Sequence, residues 1–381
     1  MIQQREEPQV QALVTQLRHT LHRHPELSGQ EVWTRGYLMD FLRAHTALEV
    51  VDNGSWFYAA YRAGRGHGIA FRADFDALPI PDNIDAPYCS QVPGVGHKCG
   101  HDGHSAALAA LALEVDRDGA DRDVFFLFQH AEETGAGAEE CLGLLEAEQV
   151  EEIYAFHNMS GYPRGAVCVR PGTMHCASRG AIITLTGVPA HASTPELGRN
   201  PALAAARLVE ALPQLSRWPG QRGLVLATVV GVRVGEGDFG VSAFQGELRL
   251  TLRAQYEEEL DQLQGALEGE ITRLAAAEGL DWSVALADVF PETVNHPACV
   301  EKIRRAARAL EMPLVELEAP ERCSEDFGHY LKRIPGAIFF LGNGEDYPGV
   351  HDVRFDFLDE QLAQASRLFR AILDQPPGAG Y

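Results

Sequence analysis

The chain has 381 residues, 45% of them apolar and 23% charged, which exceeds one compact core and suits a globular enzyme of two domains. A formal charge of -22 repels phosphate backbones and anionic lipid surfaces, which speaks against nucleic-acid and membrane partners. No apolar run nears the roughly 18 residues that span a bilayer, and Met1–Glu7 does not read as a secretory signal.

Gln9–His24 carries Val10, Leu13, Val14, Leu17 and Leu21 at helical spacing and is expected to end at His24-Pro25, because proline disfavours helix in the residue before it. A second helical pattern covers Trp33–Leu42, and Trp56–Tyr61 and Ile69–Phe71 read as strands. Arg72–Pro79 then sets Asp74 and Asp76 at a strand end. Asp102 is expected to N-cap a helix whose apolar part is Ala106–Val115. Val124–Phe128 and Ile153–Phe156 are short apolar runs, the pattern of buried strands in a parallel sheet. Strand and helix alternate to about residue 170.

The character changes near residue 177. Ala181–Leu185, Leu224–Val234, Ala243–Leu252 and Ser283–Ala287 read as strands, with helices at Pro201–Leu215 and Glu257–Glu278. That β-α-β-β-α-β order is ferredoxin-like. The α/β rhythm resumes with helix Cys299–Leu310 and strand Ala337–Leu341, and Pro376–Tyr381 is expected to be a frayed tail. The expected fold class is therefore α/β, a catalytic domain with a mostly parallel sheet flanked by helices, interrupted by a smaller α+β domain. The expected division is 1–176, 177–290 and 291–381.

Metal-type donors cluster beside these runs. Cys99-Gly100-His101-Asp102-Gly103-His104 precedes a helix, Glu132-Glu133 follow Val124–Phe128, His157 follows Ile153–Phe156, and His351 lies in the loop after Ala337–Leu341. Ligands of open α/β sheets bind beyond the carboxyl ends of the strands, so these groups are expected to share one crevice. Thiolate, imidazole and carboxylate are the donors of Zn²⁺ and its divalent neighbours. Cys99 and His101, two apart, can face one side. Glu132 and Glu133, if extended, point in different directions, so one can hold metal while the other moves a proton. Asp74 and Asp76 either cap the following turn or, as the favoured reading, orient a ligand imidazole. His104 is read as a residue of the first helical turn. The cysteines other than Cys99 read as reduced thiols of a cytoplasmic protein.

These pieces resemble the dinuclear metal amidohydrolases that include aminoacylases, hippurate hydrolases and indole-acetyl-amino-acid hydrolases. The resemblance rests on His22–Ser28, Arg72–Pro79, Cys99–His104, Glu132-Glu133, His157-Asn158, Gly187–Ser193, Ser324–Phe327, and His351 before Arg354–Phe357, in family order over nearly the whole chain. It implies Cys99, His101, Glu133, His157 and His351 as ligands of two divalent ions (Zn, Mn, Co or Ni) and Glu132 as general base. It also implies that the insert is a lid and dimerisation domain of a homodimer, with His191 reaching toward the substrate. Three positions depart from the family: His130 stands where proline is usual, Asp352 follows His351, and Gly240-Val241-Ser242-Ala243 replaces an Asn-Val-Ile-Pro lid motif. The expected function is hydrolysis of the amide of an N-acyl amino acid or similar small amide by a metal-activated water. The alternatives are a metallo-dipeptidase or carboxypeptidase with the same centre, and a non-catalytic metal-containing binding protein.

Overall fold

The computed structural model describes residues 7–64 and 68–376, so Pro377–Tyr381 of the expected frayed tail lie outside the described residues. The chain forms two compact units. One takes the chain up to Met174, Thr293–Pro320 and the chain from Asp326 onward; the other takes His175–Glu292 and the short return Glu321–Glu325.

In chain order the first unit opens with helices α1 (Glu7–Arg23) and α2 (Val32–His45), then strands β1 (Glu49–Asp52), β2 (Phe57–Tyr61) and β3 (Gly68–Asp74). Helix α3 (His101–Asp118) leads to β4 (Val124–Gln129), the short helices α4 (Gly137–Cys141) and α5 (Gly143–Ala147), β5 (Val150–Ser160), β6 (Val167–Val169) and β7 (Gly172–His175). The second unit holds β8 (Ala177–Thr186), α6 (Ala202–Leu215), β9 (Val225–Val234), β10 (Gln245–Ala254), α7 (Glu257–Glu278) and β11 (Asp281–Phe290). The chain returns through β12 (Thr293–Asn295), α8 (Pro297–Ala309), β13 (Leu314–Glu316), α9 (Gly328–Leu331), β14 (Gly336–Gly344) and α10 (Glu360–Leu373).

Eight strands form one sheet in the order β1-β2-β4-β3-β5-β14-β6-β13. Its centre, β4-β3-β5-β14, is parallel, while β1, β2 and the β14-β6 pairing are antiparallel. Every residue of β3 and β4 is buried, which explains why both read as unbroken apolar runs rather than alternating ones. One face packs Phe71, Phe126 and Phe128 against α3, α8 and α10; the other packs Phe125, Leu127 and Ile153 against Leu144, Phe327 and Tyr330. The second unit is an antiparallel sheet, β11-β8-β10-β9, whose β-α-β-β-α-β order is the ferredoxin-like pattern expected for the insert. Leu208, Leu212, Leu263, Leu267 and Ile271 of α6 and α7 cover one face of it. Among the described residues no helix is long and apolar enough to cross a membrane.

Three local expectations need correction. The cap of α3 is Gly100, with φ 101°, and not Asp102, which lies in the first turn and turns its carboxylate to Arg18 and His22. His157 does not follow its strand; β5 continues to Ser160 and pairs His157 with Phe340. Glu132 and Glu133 sit in a tight turn, not an extended segment, because Ala131 before them adopts a left-handed φ of 48°.

Candidate metal centre

The Cys99–His104 segment is aimed by what surrounds it. A side chain at Gly100 would place its Cβ 2.2 Å from Asn158 Oδ1, so close approach and positive φ together require glycine there. Behind the segment lies a buried ion cluster. Arg18 donates to Asp102 at 2.8 Å and Asp359 at 3.0 Å and also pairs with Asp356; His22 bridges Asp102 at 2.8 Å and Asp82 at 3.0 Å. Lys98 pairs with Asp82 and donates to the Phe355 carbonyl at 2.8 Å. Burial alone would lower the His22 pKa, but Asp102 and Asp82 raise it above its usual value, so its charge is matched on both sides.

In front of this cluster the five expected ligands come together. The donor atoms of Cys99, His101 and His157 lie within 4.8 Å of one another, as do those of Cys99, Glu133 and His351, and those of His101, Glu132 and Glu133. Cys99 Sγ is 3.3 Å from His157 Nε2, and His351 Nε2 is 3.6 Å from Glu133 Oε2. His101 Nε2 is 3.8 Å from Glu132 and 3.7 Å from Glu133. His101 Nε2 and Glu133 Oε1 are both buried without a hydrogen-bond partner. Orphaned buried donors at that separation are too far apart to bond each other and well spaced to share a cation, so the donor set fits divalent ions.

Asp76 is bonded to two members of this set. Its Oδ1 meets His101 Nδ1 at 3.0 Å, leaving Nε2 to face the other donors, and its Oδ2 accepts from Ser28 Oγ at 2.6 Å and Glu133 N at 3.0 Å. Asp74 lies 3.9 Å from His101 Nδ1 but bonds His104 Nδ1 at 2.6 Å. His104 lies in the first turn of α3, as expected, and is buried there. Its Nε2 meets Asn158 Oδ1 at 2.7 Å, and Asn158 Nδ2 donates to the Cys99 carbonyl at 3.1 Å. Arg72 joins Asp74 at 2.5 Å to Asp326 at 2.8 Å. His104, Asn158 and Arg72 were missed as site residues. A histidine three after His101 falls one helical turn along the same face, which is the signal that could have found His104.

The electrostatics are those of a site short of positive charge. Burial pushes the Cys99 thiol well above its usual pKa, and Glu133, Glu132 and Asp74 push the same way. Burial would lower His101, yet Asp74, Asp76 and Glu133 hold it up at about 10. His157 goes well below its usual value, through burial and then the neighbouring His104. The carboxylates around His101 thus hold a proton on its imidazole, where a dication would compete with it.

His191 belongs to the other unit, where it is exposed and its Nδ1 meets Ser193 Oγ at 2.7 Å. It pairs as an isolated bridge with Val241, and Val241, Ser242 and Ala243 line a cavity of about 390 Å³ within that unit.

Residues 70–375 match the model of peptidase family M20/M25/M40. The chain belongs to this family. Among its relatives, the N-acetyldiaminopimelate deacetylase of Exiguobacterium sibiricum is 31% identical over 344 residues, spanning 88% of this chain and 92% of that one. The N-acetyl-L-cysteine deacetylase of Bacillus subtilis (strain 168) is 30% identical over 344 residues, 88% of this chain and 81% of that one. The crystal structure of Bacillus subtilis YXEP, a dinuclear metal binding peptidase of the M20 family, superposes with a TM-score of 0.80 at 27% identity, covering 96% of this chain and 98% of that one. The protein is accordingly a metal-dependent hydrolase of amide bonds with a dinuclear-type donor set, as its sequence led us to expect.

Proposed function

We propose that this chain hydrolyses the amide of N-acyl amino acids, with Cys99, His101, Glu133, His157 and His351 holding two divalent ions and Glu132 serving as general base. The observation that carries this reading is the overlap of the donor groups, with Cys99 common to two of them and Glu132 beside His101. Cys99, His101 and Glu133 are each shared between these groups and would hold the two ions together with His157 and His351. Such a pair, when bound, polarises a carbonyl and lowers the pKa of a water.

The chain's own part is to time the proton. The Glu132 carboxylate takes it from the attacking water and returns it to the nitrogen that leaves as the amine. Asp76, through His101 Nδ1, keeps Nε2 facing inward. His191 is assigned to the substrate carbonyl or carboxylate. The acyl-amino-acid class is supported by the two deacetylases named among the relatives. The ions are drawn from Zn, Mn, Co and Ni, since affinity order alone does not set occupancy.

A homodimer through the inserted unit is supported by β9, an edge strand carrying exposed Val229, Val230 and Val232, because an apolar edge invites a partner strand. The six cysteines other than Cys99, none of them in a disulfide, support a cytoplasmic setting.

The test is turnover of N-acetyl amino acids beside free dipeptides, for the parent protein and Glu132→Gln, each loaded with every candidate metal. The variant is expected to lose about 100- to 10,000-fold in kcat, the range of positioned acid-base groups. Preference for free dipeptides would move the reading to a metallo-dipeptidase, and inactivity of both forms on either class would leave a metal-containing binding protein.

A further inference from the structure

We infer that Glu31 is a positioning residue: its carboxyl group holds Ala131 in the left-handed backbone conformation that aims Glu132 at the metal donors. This rests on the proposed role of Glu132 as base. Ala131 is buried, and at φ 48° it occupies a region that L-residues other than Asn and Asp seldom visit. Its conformation is gripped from both sides. Its N–H donates to Glu31 Oε1 at 2.8 Å, and its carbonyl accepts from Ala136 N at 3.2 Å and Gly137 N at 3.1 Å. The turn is closed so tightly that a Cβ on Gly137 would lie 1.7 Å from the His130 carbonyl oxygen. The residue after Ala131 is Glu132, and its carboxylate stands 3.8 Å from His101 Nε2. Relaxing Ala131 to a right-handed φ would turn the next peptide and swing that carboxylate away.

Glu31 is itself anchored. It directly precedes α2, where Glu26 accepts from Trp33 N at 3.1 Å and Thr34 N at 2.7 Å, and Ser28 of the same loop bonds Asp76. The loop after α1 therefore braces the base through Glu31 and the ligand imidazole through Ser28 and Asp76. Burial, then the nearby Asp76, raises Glu31 to about 7, and both its protonated and ionised forms offer Ala131 an acceptor oxygen. What the position requires is thus an acceptor at this reach, not a charge.

The variants are Glu31→Ala, Glu31→Gln, Ala131→Gly and the double variant Glu31→Ala/Ala131→Gly. The readouts are kcat and KM on N-acetyl amino acids, bound metal per chain, and amide hydrogen exchange of the metal-free proteins over 129–137. Glu31→Ala is expected to lower kcat about 10- to 100-fold, the size of effect a misplaced group produces, with KM within about twofold and metal content unchanged. Exchange at Ala131 should speed up about tenfold or more in the metal-free protein, since its bonded acceptor is gone.

Glu31→Gln should stay within about threefold of the parent in kcat and exchange, its amide oxygen replacing the acceptor. Glycine pays no steric penalty at positive φ, so Ala131→Gly should restore much of the kcat that Glu31→Ala loses. Unchanged kcat and exchange in Glu31→Ala, a kcat loss that tracks lost metal, or no recovery in the double variant would each overturn the inference. If Glu31→Ala does not fold, Glu31→Gln decides, and a loss there in both readouts refutes the acceptor role. A parent protein inactive on every amide defeats the proposed function, while the exchange arm still judges the brace.

Discussion

Asp76 is the residue on which most of the site converges. One carboxylate accepts from His101, Ser28 and the Glu133 amide, so the imidazole of one proposed ligand and the backbone of another share one buried anchor. It is wholly buried, and burial would raise its pKa, but the bonds from His101 and Ser28 keep it below the usual carboxylate range. We expect Asp76→Ala to weaken metal binding about 10- to 100-fold, the range found when the partner of a ligand histidine is removed. Competition with a coloured chelator measures it, and unaltered affinity would show that His101 needs no orienting. The sequence offered Asp74 and Asp76 as equivalent candidates at one strand end, but β3 stops at Asp74. Asp76 lies in the loop beyond the strand, so the two meet different neighbours, Asp76 meeting His101 and Asp74 chiefly His104.

Among the elements, α3 matters most to the centre, since its first residue is His101 and its cap follows Cys99. The cap works through shape. Gly100 turns the chain at positive φ while Asn158 packs where a Cβ would be and holds the Cys99 carbonyl. Gly100→Ala is expected to cost about 2 kcal/mol or more from the disfavoured φ and the clash with Asn158. Urea unfolding would measure this, and a metal titration should show the Cys99–His101 spacing disturbed in parallel. A variant as stable as the parent would mean that this turn relaxes freely. The helices and strands with strong periodicity or unbroken apolar runs were legible beforehand, among them α1, β4, α7 and the ferredoxin-like order of the insert. Helix α10 lies outside the expected elements although its buried residues, Leu362, Ala365, Phe369 and Ile372, recur at helical spacing. The three-residue strands β6, β12 and β13 are not legible in the sequence; segments so short carry no period of their own, and only their neighbours make them strands.

For the molecule as a whole, the donors are drawn from α3 and the loop before it, β5 and the loops after β4 and β14, so bound metal would tie distant stretches of one unit together. A ligand that binds only the folded state stabilises it by mass action, about 4 kcal/mol at a thousandfold excess over Kd. Chelation should therefore abolish amide cleavage and lower Tm by about 5–10 °C, with reloading restoring both. A calorimetric scan with and without chelator tests this; an unshifted transition would mean that the ions contribute nothing to the fold. The amino-acid sequence by itself determined the buried strands, through their apolar runs, and the chemistry of the donors, through residue type and position after those runs. Only the tertiary structure decided which nitrogen of His101 faces inward, that Glu132 and Glu133 leave a turn and not a strand, and that Glu31 reaches Ala131. The physical reason is range. Periodicity reports on residues a few positions apart, whereas Glu31 and Ala131 are separated by 100 residues, and only packing of the chain brings their atoms within a hydrogen bond.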